Sequence, residues 1–266
     1  MSELGSYGRL LGELGLTEVK HAEPINTDTG ELLAKKQFHM KGEHWNETIT
    51  KTTNQIRGCI HVGAWDAAEL GCYVQLFGEN VFWIEANPHT YENVSKPRIH
   101  AYNQKLYNFA AYDKDDEEVE LRIPARGDCS TLIRSDKHEF RARSIVKVKT
   151  KKLDTFIKEQ NIDMSTVDFL NIDAEGSEYS ILEGMKENLK FISFIFIEIS
   201  NDPFRFPGQP LFEEMKGYLK DRGFAFIKAS NYLEQGWGDA FFARSDIVIP
   251  TAFVYEQIAR GRWAEL

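Results

Sequence analysis

Residues 167–178 read VDFLNIDAEGSE, an apolar strand-like run that passes at once into Asp173, Glu175 and Glu178. Carboxylates avoid apolar surroundings unless a cation, a proton or hydrogen-bond donors hold them there. An acid at the end of a buried strand therefore marks a place where charge is used. A second such acid, Glu198, interrupts the apolar run Phe194–Ile199. Two carboxylates at the ends of neighbouring strands can share a proton or a divalent cation such as Mg or Mn. Asp173 and Glu198 are thus candidates for general base and for metal ligand. Glu175 and Glu178 are expected in the first turn of the following helix, where the helix dipole favours acids, and are read as caps.

Two further spacings point to a ligand. Gly63 follows the apolar run Cys59–Val62, and a glycine there lets the chain turn tightly and approach a bound molecule. Glu85 ends the next apolar run, 22 residues past Gly63. An acid in that place suits the hydroxyls of a ribose, or else a helix N-terminus. Asn108 follows a third run and could bond a base edge or cap its turn.

These residues need elements to hold them. From residue 57 onward, apolar runs alternate with amphipathic segments. Strands are expected at 59–62, 81–84, 99–102 with 106–111, 167–172 and 191–199. Helices are expected at 66–77, from about 88, at 153–159, through about 188, and at 211–222. The runs 118–123 and 145–150 read as an inserted antiparallel pair, and 224–228 with 239–244 as a closing hairpin. Strands without polar alternation, separated by helices, imply a mostly parallel sheet covered on both faces. In such an α/β sheet the ligand sits beyond the carboxyl ends of the strands. The expected organisation is an N-terminal extension over 1–56, helical or irregular, a main domain over 57–250 with an insertion at 113–150, and a tail over 251–266. The insertion, with 126–132 near the crevice, is the expected substrate cover.

Composition narrows the function. The 266-residue chain is 42% hydrophobic, which suits a globular protein. Its net charge of −9 disfavours nucleic acid as a partner. The basic stretch 141–152, with His89 and Arg134, could touch a phosphate, but a solvated face is the stronger reading. The longest apolar run, 191–197, falls far short of a membrane span. Three cysteines (Cys59, Cys72, Cys129) without a CxxC pair, and an N-terminus without a basic-then-apolar leader, fit the cytoplasm.

The blocks Ile60-His-Val-Gly-Ala64, Trp83-Ile-Glu-Ala-Asn-Pro88, Leu153-Asp-Thr-Phe156 and Phe169-Leu-Asn-Ile-Asp-Ala-Glu-Gly-Ser-Glu178, in this order, resemble the signatures of FkbM-type methyltransferases. The resemblance runs from about 57 to 244. It implies a Rossmann-like seven-stranded class I sheet with an antiparallel last strand, and S-adenosyl-L-methionine as cofactor. It implies O-methylation of a hydroxyl on a sugar, glycan or secondary metabolite, nucleotide- or lipid-linked acceptors included. It places His61, Gly63 and Ala64 by the methionyl part, Glu85, Ala86 and Asn87 by the ribose, Asn108 and Ala110 by the adenine, and Asp173 by the reacting methyl. Two positions depart from the pattern: His61 stands where an acid is usual, and the later glycine of that loop falls near Ala67. His61 is read as a structural replacement. Asn171 stands where lysine is commoner and is given no role. The competing readings are a catalytically degenerate binding module of a glycan or natural-product assembly system, and a nicotinamide-dependent oxidoreductase. Oligomeric state is left open by the sequence.

Overall fold

The computed structural model describes residues 57–245, apart from 126, 128 and 230–235. The expected N-terminal extension and C-terminal tail lie outside the described residues. Seven strands form the main sheet: β1 (Cys59–Val62), β2 (Val81–Glu85), β3 (Lys105–Asn108), β7 (Phe169–Ile172), β8 (Phe194–Ser200), β9 (Phe224–Ala229) and β10 (Trp237–Arg244). Their order is β3-β2-β1-β7-β8-β10-β9. The pairs β1–β2, β2–β3, β1–β7 and β7–β8 are parallel, and β10 runs antiparallel to both of its neighbours. This is the expected seven-stranded, mostly parallel sheet with an antiparallel last strand. A separate three-stranded sheet holds β4 (Ala110–Ala111), β5 (Glu118–Pro124) and β6 (Ala142–Lys151).

The apolar runs work because alternate side chains leave opposite faces of the sheet. Ile60, Val62, Phe82, Ile84, Leu170, Ile172, Ile195 and Ile197 fill one core layer. Cys59, Val81, Trp83, Phe169, Phe194 and Phe196 fill the other. Each such side chain contributes about 1.5–3 kcal/mol on leaving water. The first layer is closed by helices α2 (Leu153–Glu159), α3 (Glu178–Glu183) and α4 (Phe212–Lys220), through Phe156, Leu182 and Met215 among others. The second is closed by α1 (Leu70–Phe77), through Tyr73 and Phe77.

Four local expectations are corrected. The segment 99–102 is not strand: it closes a helical path that starts at Pro88, passes through a π-helical stretch, Tyr91–Ser95, and ends in a 3-10 turn, His100–Tyr102. Its isoleucine is buried against the sheet rather than paired in it. Helix α1 starts at Leu70 and not at Asp66, because Trp65 and Ala67 hold left-handed backbone with φ of 40° and 51°. Helix α3 ends at Glu183, and the path to 188 continues only as turns. Its N-terminus lies at Glu178, so Glu175 precedes the helix and does not sit in its first turn.

The basic stretch 141–152 lies largely on β6, and its charges are answered locally. Lys147 pairs with Glu118 at 2.6 Å, across the antiparallel register with β5. Lys151 pairs with Glu159. This is the solvated face that the sequence favoured. Cys59 and Cys129 are not in disulfides among the described residues; the Cys72 side chain lies outside the described residues. No helix among the described residues is long and apolar enough to cross a membrane.

Candidate active site

The carboxyl ends of β1, β2, β7 and β8 open into one crevice of about 690 Å³. It lies where the strand order turns from β2-β1 to β7-β8, the place where open parallel sheets take ligands. The three-stranded insertion contributes Leu121, Gly127, Ser130, Leu132 and Glu139 to its lining. These inserted residues lie along the crevice; Arg126 and Asp128 of the same loop lie outside the described residues.

The loop after β1 is drawn in by the backbone. Gly63 and Ala64 both donate N–H to the Ile84 carbonyl, at 2.9 and 3.1 Å. Gly63 has φ of 94°, and a Cβ there would lie 1.7 Å from the Asp173 carbonyl oxygen. The glycine is therefore demanded by the close approach of the β7 loop as much as by any ligand. Asp173 in turn donates its N–H to the Val62 carbonyl at 3.0 Å. The two loops are locked to each other, and both face the crevice.

Glu85 is buried at the end of β2. One oxygen accepts the Trp65 N–H at 2.9 Å, and the other accepts the Asn87 N–H at 2.7 Å. Burial still raises its pKa to about 7, against the lowering effect of those donors. Each carboxylate oxygen keeps a further lone pair for a hydroxyl. Beyond Glu85 lies an apolar slot between Ile84, Ala86, Phe109, Ala110, Leu121 and Leu132.

Asn87 and Asn108 were expected at the ligand, and the structure spends their side chains elsewhere. The Asn87 carbonyl oxygen caps the following helix, accepting the His89 N–H at 3.0 Å, and its amide reaches Ser130. The Asn108 amide donates to the Glu85 carbonyl at 2.8 Å and to the Ala86 carbonyl at 3.3 Å, a bond of the turn-capping kind. Neither lines the crevice, whereas Ala86 and Ala110 do.

His61 is buried and belongs to a chain of directed hydrogen bonds. The Asn171 amide donates to the Tyr73 hydroxyl at 2.7 Å, and that hydroxyl lies 3.0 Å from His61 Nδ1. His61 Nε2 lies 3.1 Å from the Gly63 carbonyl, which can only accept. The proton therefore sits on Nε2, and Nδ1 accepts from Tyr73. Desolvation by burial lowers the pKa of His61 to about 3, so the ring is neutral. The histidine buttresses the Gly63 turn from behind, and Asn171, one strand away, supports it.

At the other end of the crevice lies a cluster of charge. Asp173, Glu175 and Glu198 each bring a carboxylate oxygen within 4.8 Å of the others. Burial is the main cause raising the pKa of Asp173 to about 6 and of Glu175 to about 8. The Asp173 side chain nevertheless faces the open crevice, where water hydrates its charge. Glu198 is buried and is raised well above the usual carboxylate range, first by desolvation and then by Glu175 and Asp173. Arg205 reaches into the cluster, 3.2 Å from Glu198 and 3.4 Å from Glu175, with Glu139 at 3.6 Å. Its guanidinium lies 4.6–5.1 Å from the ring centres of Phe140, Phe206 and Trp237.

The sequence paired Asp173 with Glu198, and the structure brings them together. It assigned Glu178 to capping, and Glu178 clasps its own loop through the Ala174 and Gly176 N–H groups at 2.9 and 3.0 Å. For Glu175 the cap reading is corrected: with φ of 50° it turns its carboxylate into the acid cluster. Arg205 was missed. It stands in NDPFRFPGQP, the loop after the acid-bearing β8, where the rule on strand ends would have directed attention.

A family model described as methyltransferase FkbM domain matches residues 58–226. No curated protein matches the sequence. Among solved structures, the chain is similar to TrmK of M. capricolum in complex with S-adenosyl-homocysteine, at 13% identity and a TM-score of 0.41, covering 81% of this chain and 75% of that one. It is similar to an O-methyltransferase from Bacillus cereus, also in complex with that product, at 13% identity and a TM-score of 0.40, covering 90% and 89%. It is similar to a putative sarcosine dimethylglycine methyltransferase from Galdieria sulphuraria at 10% identity and a TM-score of 0.43, covering 91% and 99%. Likenesses of this degree carry no weight for substrate or for site residues.

Proposed function

The chain belongs to the FkbM methyltransferase family, and from that premise we propose that it is an S-adenosylmethionine-dependent O-methyltransferase acting on a hydroxyl of a sugar or glycan. The observation that carries this reading is the crevice itself. It joins, in one space, a ribose-type acid, an apolar slot and a carboxylate at the end of the next strand but one.

The residues present fit the cofactor. Glu85 would take the ribose hydroxyls on the lone pairs its backbone donors leave. The slot lined by Ala86, Phe109, Ala110 and Leu132 would take the adenine. The Gly63–Ala64 backbone would lie along the methionyl chain. Bound there, the cofactor supplies a sulfonium methyl already activated for transfer. The protein's part is to place the acceptor oxygen in line with that methyl and to exclude water.

Held by Glu85, the Gly63–Ala64 backbone and the apolar slot, the cofactor would supply the methyl group, and the acceptor hydroxyl would be the nucleophile. The hydroxyl proton would pass to Asp173, whose side chain faces the crevice beside the Gly63 loop. Such a base contributes roughly 10²–10⁴ in rate. Glu198 and Glu175, behind Asp173, accept hydrogen bonds from neighbouring hydroxyls. Trp65 and Trp237 on the lining offer aromatic faces to the C–H faces of a sugar ring. Among the described residues, eight carboxylate side chains and one guanidinium line the crevice. A phosphate of a nucleotide- or lipid-linked acceptor would therefore have to remain outside, and a nucleic-acid acceptor is disfavoured for the same reason.

The test is isothermal titration calorimetry with S-adenosylhomocysteine on the wild type and on Glu85→Ala. Micromolar binding is expected for the wild type. Loss of hydrogen bonds to a charged group should weaken it by about tenfold or more in the variant. A folded wild type that does not bind the product at all would overturn the reading.

A further inference from the structure

We propose that Asp173, Glu175 and Glu198 form a divalent-cation site beside the acceptor, with Arg205 as the fixed cation that orients two of its ligands. The inference rests on the methyltransferase reading only for what the ion would do, not for where it would bind.

Three observations carry it. First, one oxygen from each of the three carboxylates lies within 4.8 Å of the others. Oxygens around an ion with bonds of about 2.1 Å lie roughly 3–4 Å apart, so small side-chain rotations close the set. Second, Glu198 is buried, lines the crevice, and its Oε2 has no hydrogen-bond partner among the described residues. A buried carboxylate oxygen left without a donor is a costly feature that a ligand would relieve. Arg205 takes Oε1 of the same group, so the two oxygens already have separate tasks. Third, the charges leave room for a dication. Three carboxylates and one guanidinium sum to −2 when all are ionised. Arg205 cannot add to this by moving, because Phe140, Phe206 and Trp237 pack around it and Glu139 holds its other nitrogen.

Arg205 is a positioning residue here. It touches Glu175 and Glu198 and fixes which oxygens remain to face the ion, as outer-shell partners do in metal sites. The ion prescribed by an all-oxygen set of this size is Mg²⁺ or Mn²⁺. At that place it would hold two neighbouring acceptor hydroxyls and make one of them more acidic.

The probe is Mn²⁺, followed by loss of the free-ion electron paramagnetic resonance signal, in protein with and without saturating S-adenosylhomocysteine. About one saturable ion per chain is expected. Glu198→Gln and Asp173→Asn should each weaken it by at least about tenfold, while surface variant Glu92→Gln keeps the wild-type affinity. Thermal melts confirm that each variant is folded, and Glu175→Gln serves where one is not. No saturable Mn²⁺, or equal affinity in all variants, would overturn the site. A wild type that binds the product but no ion leaves the methyltransferase reading intact and removes this one. A wild type that binds the ion but no product does the reverse.

Discussion

At the scale of single residues, His61 shows how one substitution at a ligand-facing loop is absorbed by the core behind it. An acid there could not survive between Trp83 and Tyr73, whose ring centres lie 4.5 and 5.6 Å from the imidazole, without a strong donor. The neutral ring fits, because Tyr73 gives it a proton to accept and Gly63 takes the one it carries. Burial holds its pKa near 3, below the unfolded value of 6.5. The charged form is thus confined to the unfolded chain over most of the acid range. Nitrogen NMR should show a neutral imidazole protonated on Nε2, unchanged from pH 8 to pH 5. A midpoint near 6.5 would remove the hydrogen-bond chain and return His61 to the role of a titrating group.

At the scale of elements, the insertion is tied to the loops after β7 and β8 at several points. Thr131 is buried, and its hydroxyl donates to the Glu175 carbonyl at 2.6 Å while accepting the Ile133 N–H at 3.0 Å. Lys137 pairs with Asp202 at 2.6 Å, and Phe140 packs on Phe206. The Thr131 bond matters most, because Glu175 holds a left-handed backbone that its surroundings must enforce. Thr131→Val keeps the shape and removes both hydrogen bonds. It should cost about 1–3 kcal/mol of stability in urea unfolding. A loss below about 0.5 kcal/mol would show that the insertion is held without it.

The same scale explains what could be read from the sequence. The buried strands were legible because both faces of β1, β2, β7 and β8 are apolar, which leaves an unbroken run in the chain. Acids standing at the ends of such runs were legible for the same reason. The start of α1 was not, since the left-handed turns at Trp65 and Ala67 use residues with no special tendency toward them. The segment 99–102 misled because Ile99 and Tyr102 satisfy a strand pattern while a helix buries the isoleucine. The position of Arg205 after β8 was legible, but its packing was not, because Phe140 and Trp237 stand far from it in the chain.

At the scale of the whole molecule, the fold buries carboxyl groups, in and around the crevice and elsewhere, whose charge it does not fully compensate. Glu69, Glu85 and Glu178 are raised to about 7 and Glu175 to about 8, all from 4.5, with burial the largest cause. Asp173 and Asp168 are raised to about 6 from 3.8, again chiefly by burial. A carboxyl whose folded pKa exceeds its unfolded one binds the extra proton in the fold. Its contribution is complete below the unfolded value and is lost as pH rises through the folded value. His61 works in the opposite sense, but only below 6.5, where the unfolded chain takes up its proton. Between pH 4.5 and 6.5 the two trends oppose each other. Between pH 6.5 and 8 only the carboxyls titrate, so the ligand-free protein must lose stability as the solution becomes more basic. For a domain of this size each kcal/mol lost lowers the melting temperature by about 2–4 °C, and with four carboxyls titrating in that window a fall of several degrees is expected. Bound cofactor, whose sulfonium is cationic, or Mn²⁺ at the acid cluster should reduce that fall by stabilising the charged carboxylates. Melting curves at pH 6.5 and 8, each with and without S-adenosylmethionine and Mn²⁺, measure both effects. A melting temperature that stays level or rises toward pH 8 in the ligand-free protein would mean that the fold already neutralises these acids, and that the crevice has no standing demand for a cation.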